Sequence, residues 1–166
     1  MSFAASARSA TLAVAVLALA PRAVAASQDT HRVSLRFQNS QFSVLGLTRV
    51  HSALPPSDAL PGVAGGVSGF WFELRTASGD LRYRRILGDP VRLYFEGQRA
   101  TLPGEPPMLE RDEQIPQSRL FTLMIPRAAD GEQLVLYGSP LVAGFGEQPA
   151  TELTRLTLVV PEEGAP

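Results

Sequence analysis

From residue 32 onward the chain alternates apolar and polar residues with a period of two, as half-buried β-strands do. Arg32 to Phe37 places Val33, Leu35 and Phe37 on one side and Arg32, Ser34 and Arg36 on the other. Asn39-Ser40 predicts a turn. Phe42 to Val50 then reads as a second strand whose phase changes at Gly46, where a β-bulge is expected. Gly69 to Leu87 predicts a β-hairpin, two aromatic and apolar runs separated by Ala77-Ser78-Gly79-Asp80. With Ser78-Gly79 at the tip, Thr76 faces Leu81, Leu74 faces Tyr83, and Phe70 faces Leu87. Trp71 then faces Ile86 and Glu73 faces Arg84, while Phe70, Phe72 and Leu74 point inward together. This register sets Arg75 against Arg82, a like-charge pair that either costs a little or marks an anion site.

Four further strands complete a set of about eight: Val91 to Glu96, Leu120 to Ile125, Gln133 to Tyr137 and Thr154 to Val160. Pro126 ends the sixth because it cannot donate a ladder hydrogen bond. The near-continuous apolar run of the seventh predicts burial on both faces. No segment from residue 26 onward shows a helical period over ten residues. Three linkers separate the strands, at 52–68, 97–117 and 139–152. Many short strands punctuated by Gly and Pro predict an all-β fold, an antiparallel sandwich or barrel. If strand direction alternates throughout, the Asn39 turn, the Ser78-Gly79 tip and the second and third linkers share one end. The first linker and the Gly88-Asp89-Pro90 turn then lie at the other. Linkers this long are uncommon unless they bind something or are disordered, so the first end is the expected functional surface.

The strand pattern, with the single Trp of the chain (Trp71) inside a central strand, resembles immunoglobulin-like and fibronectin type III-like β-sandwiches of exported bacterial proteins. That resemblance implies a two-sheet antiparallel sandwich. It does not extend to the paired cysteines that normally flank such a Trp, because the chain has no Cys at all.

The first residues have a different character. Met1 to Arg8 carries one positive charge, Ala10 to Ala20 is an apolar run, and Ala23-Val24-Ala25 supplies small residues at the spacing a signal peptidase requires. The segment resembles a helical secretory signal peptide, and its apolar run falls well short of the ~20 residues that span a bilayer. Cleavage after Ala25 leaves one domain, residues 26–166. The expectation is a periplasmic or extracellular protein with no transmembrane segment and no cysteine to accept a lipid. Without Arg8 and Arg22, 13 basic residues face 16 acidic ones, a net charge of about −3 that suits non-specific nucleic-acid binding poorly.

Candidate chemistry is sparse. Glu110, Asp112 and Glu113, with Glu105 nearby, form an acidic run that could ligate calcium in a flexible loop, although the EF-hand spacing is missing. Arg75 and Arg82, with Arg84 and Arg85 close by, could hold an anionic partner, or could simply form a charged outer face. Arg111 lies in the acidic run, and Phe145 between Gly144 and Gly146 is a loop aromatic of the kind that anchors interfaces. His31 and His51 have no third ligand for zinc. Ser68 in Gly66-Val67-Ser68-Gly69-Phe70 misses the nucleophile elbow. The expected function is therefore a non-enzymatic, cofactor-free module that binds a protein or envelope polysaccharide through loops 97–117 and 139–152, with Arg75, Arg82, Arg111 and Phe145 as contacts. Two alternatives stand beside it. One is a hydrolase or hydrolase accessory domain built from Glu110, Asp112 and a histidine. The other is an assembly or chaperone module that adds a strand at Gln133 to Tyr137.

Overall fold

A computed structural model describes residues 28–60, 66–99 and 108–161. The expected signal segment at 1–25 and Glu105 lie outside the described residues, as do the central parts of the first two linkers. Within them the chain is all-β, without a helix, and its strands pair antiparallel throughout. The strands are β1 (Gln28–Gln38), β2 (Gln41–Ser52), β3 (Phe70–Arg75), β4 (Leu81–Leu87) and β5 (Leu93–Arg99), then β6 (Met108–Gln114), β7 (Ser118–Pro126), β8 (Gln133–Gly138) and β9 (Thr151–Thr157). They form a three-stranded sheet β2-β1-β7, a four-stranded sheet β4-β3-β8-β9, and a separate β5-β6 pair.

The period-two pattern does what it predicts. Val33 and Leu35 of β1 and Leu123 and Ile125 of β7 meet Phe70, Phe72 and Leu74 of β3 and Leu134 and Leu136 of β8 in one buried cluster. β8 is buried on both faces, as its apolar run requires. Asn39 and Ser40 both adopt positive φ (51° and 63°), the conformation of a type I′ turn whose twist matches the flanking strands. The bulge expected at Gly46 falls on its neighbour: Gly46 pairs with Ser34 and Val44 with Leu35, leaving Leu45 as the extra residue.

Strand β6 departs from expectation. The acidic part of the second linker is a strand, paired with a β5 that starts two residues late. The late start has a local cause. The Asp89 carboxylate accepts the amides of Val91 (2.9 Å) and Arg92 (3.1 Å), an Asx turn that holds both residues out of the ladder. The last strand likewise begins and ends three residues earlier than its sequence pattern suggests.

The hairpin register holds from Phe70↔Leu87 to Leu74↔Tyr83 and then slips, pairing Arg75 with Leu81. Thr76 and Asp80 close a three-residue loop with Gly79 at φ 96°, so Arg82 becomes a bulge residue. The expected Thr76–Leu81 and Arg75–Arg82 oppositions are thereby overturned.

The ends of the sheets are also redistributed. Gly138 pairs with Phe70, and the Ser139 amide donates to Gly69 O (2.9 Å), so the third linker lies at the start of β3. The Ser78-Gly79 tip lies at the opposite end, beside Gln133 and the turn after β7. The first linker explains the difference. Its described part around Ser57 and Asp58 runs along β4. There the Asp58 amide donates to Arg84 O (2.9 Å), Ser57 Oγ accepts the Arg84 amide (3.0 Å), and the Asp58 carboxylate accepts the Ile86 amide (2.9 Å). These contacts take the donors and acceptors that an added strand would use. β8 lies between β3 and β9, so the strand-addition role expected for Gln133 to Tyr137 has no free edge there.

Candidate functional site

The third linker, the Gly88–Arg92 turn and the β5-β6 pair meet around one buried cation. Arg92 has a side chain only 1% exposed. Its Nη2 donates to Pro140 O (2.7 Å), its Nη1 to Val142 O (3.2 Å) and its Nε to the Asp89 carboxylate (3.3 Å), while Glu113 completes the ion pair. Glu113 also accepts the Gly144 amide (3.2 Å). A buried guanidinium of this kind is tolerated only when its donors are matched, and here carbonyls and carboxylates from three segments match them. Ser139 fixes the other side of the loop: its Oγ accepts the Gly69 amide (2.9 Å) and donates to Gln148 O (2.6 Å).

On this frame Arg111 lies over the Tyr94 ring, 3.8 Å from its centroid, at a distance where the ring face attracts a cation. Tyr94, Arg111, Glu113 and Glu147 border a cleft of about 180 Å³, with Gly144 and Gly146 as its wall. Gly144 sits at φ 82°, which a side chain would strain. Tyr94, Phe95, Val142 and Phe145 remain exposed around this unit. It thus combines internal order with uncovered apolar surface.

The anticipated contacts are divided between different regions. Arg111 and Phe145 belong to this end, whereas Arg75 and Arg82 lie on the four-stranded sheet and toward its far end. Arg75 Nε donates to Glu73 (2.7 Å) and its Nη1 to Gly79 O (2.8 Å). Burial lowers the Arg75 pKa, but Glu73 and Tyr137 outweigh it and hold the guanidinium above its ordinary value. Arg82 gives both Glu132 oxygens a donor, one at 2.6 Å. Each arginine is thus ion-paired within the domain, Arg75 with Glu73 and Arg82 with Glu132, and the like-charge opposition expected of the two is not formed.

The calcium expectation meets a similar obstacle. Residues 110–113 lie on strand β6, where Asp112 and Glu113 point to opposite faces, Asp112 receiving Gln114 Nε2 (2.9 Å) and Glu113 serving Arg92. Among the described residues no three His, Asp or Glu side chains come together as metal ligands.

The histidines stand apart from β6, on the three-stranded sheet. His31 is buried, and its Nδ1 accepts the Ala128 amide (3.1 Å). His51 is exposed, with Nδ1 3.7 Å from Asp29. Trp71 is buried and stacked on Tyr137, with centroids 5.1 Å apart and planes 10° from parallel. Ser68 bridges to Pro149 in the backbone.

Arg92 and Tyr94 are the residues a reading of the chain misses, because alternation assigns both to a solvent face. The only local signal is Asp89 before Pro90, an Asx-turn acceptor that predicts capped amides at Val91 and Arg92. No family model, no curated protein and no solved structure matches this chain.

Proposed function

We propose that this chain is an exported, non-enzymatic binding module, its two larger sheets forming an immunoglobulin-like sandwich that engages a protein partner through the β5-β6 and third-linker end. The observation that carries the reading is the Arg92 anchor. It ties loop 139–150 to β6 through Glu113 while Tyr94, Phe95, Val142 and Phe145 stay uncovered. Exposed aromatics on a pre-ordered frame lose little conformational entropy on binding, which is why such residues concentrate in interface hot spots. A protein surface suits these side chains because a compact ligand in the small polar cleft would leave Phe95, Val142 and Phe145, which do not line it, uncovered.

The test is affinity capture from an envelope extract with the full chain, the F95S/F145S variant and an R155Q control. The reading requires a defined partner that F95S/F145S loses and R155Q retains. A partner list unchanged by F95S/F145S, with the variant's far-UV circular dichroism intact, sinks it.

A further inference from the structure

The outer face of the three-stranded sheet carries two arginines that no described residue neutralises. On the four-stranded sheet, Arg75 and Arg84 share Glu73, Arg82 has Glu132 and Arg155 has Glu152. Arg32 and Arg36 of β1 point outward between buried Val33, Leu35 and Phe37, are exposed, and have no hydrogen bond or ion pair among the described residues. Their cross-strand neighbours are Thr48 and Met124 for Arg32, and Ser43 and Leu120 for Arg36. Ser34 lies between them, opposite Gly46 and Thr122. None of these positions is acidic. A chain with more acidic than basic residues therefore concentrates positive charge without a described partner on one face rich in hydroxyls.

We infer that this face binds an acidic polysaccharide, with Arg32 and Arg36 each taking a carboxylate of the polymer and the Ser and Thr hydroxyls meeting sugar hydroxyls. Four residues of strand separate the two arginines by roughly 13 Å. That distance exceeds the screening length of about 8 Å at physiological ionic strength, so they act as two contacts on an extended ligand rather than one pocket for a small anion. A guanidinium engages a carboxylate through paired donors, which favours regularly spaced carboxylates. A peptide would leave its backbone groups poorly matched, because the face of a sheet offers side chains and no free ladder donors. An anionic membrane would need apolar side chains inserted between the charges, where this face has Ser34 and Thr122, and the exposed Leu120 flanks Arg36 without lying between the two arginines. This surface is separate from the Tyr94–Phe145 end and stands or falls independently of it.

The experiment measures binding of the full chain to polygalacturonate by isothermal titration calorimetry, at low and at physiological salt. The wild type should bind, more weakly as salt rises. R32Q/R36Q should lose about tenfold in affinity, as two exposed charge-assisted contacts allow. R155Q, whose arginine already has Glu152, and F95S/F145S should bind as wild type. Unaltered binding by R32Q/R36Q overturns the inference. So does stronger binding to polyglutamate or to phosphatidylglycerol vesicles than to polygalacturonate. An unchanged thermal melt for R32Q/R36Q is expected, because both side chains are exposed and unpartnered.

Discussion

Glu73 is the most consequential single charge in the four-stranded sheet. It lies on central strand β3, is 2% exposed, and accepts Arg75 Nε at 2.7 Å and Arg84 Nε at 2.8 Å. E73Q keeps the shape, removes the charge, and turns an amide donor toward one of the guanidiniums. Breaking a fully buried ion pair costs about 3–5 kcal/mol, much of it the uncompensated charge left behind. Here the arginines are 26% and 17% exposed and remain partly hydrated, and Arg75 keeps its bond to Gly79 O. The expected loss is therefore smaller, about 2–3 kcal/mol. With a urea slope of roughly 2 kcal/mol per molar, the unfolding midpoint should fall by about 1–1.5 M with the slope unchanged. R84Q, which leaves Glu73 paired with Arg75, should cost about 1 kcal/mol. A shift for E73Q below about 0.5 kcal/mol would refute the reasoning, because the bridge would then behave as an ordinary surface pair.

Three further outcomes follow from the same geometry. S40G should raise stability by about 0.5 kcal/mol in urea unfolding, because glycine relieves the positive φ in the type I′ turn while adding some unfolded-state entropy. W71F should cost about 1 kcal/mol or less by far-UV thermal melting, although loss of a buried Trp side chain usually costs several. The indole Nε1–H is buried without a hydrogen-bond partner, so its removal offsets part of the lost packing. Thermal stability should be level near neutral pH and fall under acid. Arg155 holds the Glu152 carboxyl, and Arg49 the Asp29 carboxyl, below their ordinary values of 4.5 and 3.8. A depressed carboxylate contributes fully above its ordinary value and loses that contribution as pH drops through the folded one, so melting temperature should decline below about pH 4.5. E152Q should flatten part of that decline, and an unchanged profile would contradict the assignment.

The parts of the fold that were legible in the chain are those that depend on one residue's side of a strand. Phe70, Phe72 and Leu74 face the core because alternation demands it, and Asn39-Ser40 turns because few residue pairs accept two positive φ values. The parts that were not legible depend on hydrogen bonds to distant segments. Met108 to Gln114 has no apolar alternation. It becomes a strand because β5 pairs with it and because Glu113 closes on Arg92, 21 positions earlier in the chain. Ser57 and Asp58 read as loop polarity, yet they occupy the edge of β4 and carry the linker along the sheet.

Charge is the clearest case of this limit. Arg75, Arg82, Arg92, Arg32 and Arg36 look alike in sequence: each is an arginine beside apolar residues in a strand, with its partner unspecified. Pairing then sorts them. Arg75 and Arg82 meet Glu73 and Glu132, Arg92 disappears beneath the third linker, and Arg32 and Arg36 are left to solvent. An arginine already matched to a carboxylate has little to offer a ligand, since capture would first require breaking that pair. The arginines available for recognition are those whose cross-strand neighbours are Ser, Thr and apolar residues, and that property belongs to the register of β1 against β2 and β7. On the proposed reading, binding capacity follows from which arginines strand pairing leaves unmatched, while the number of arginines in the chain says little about it.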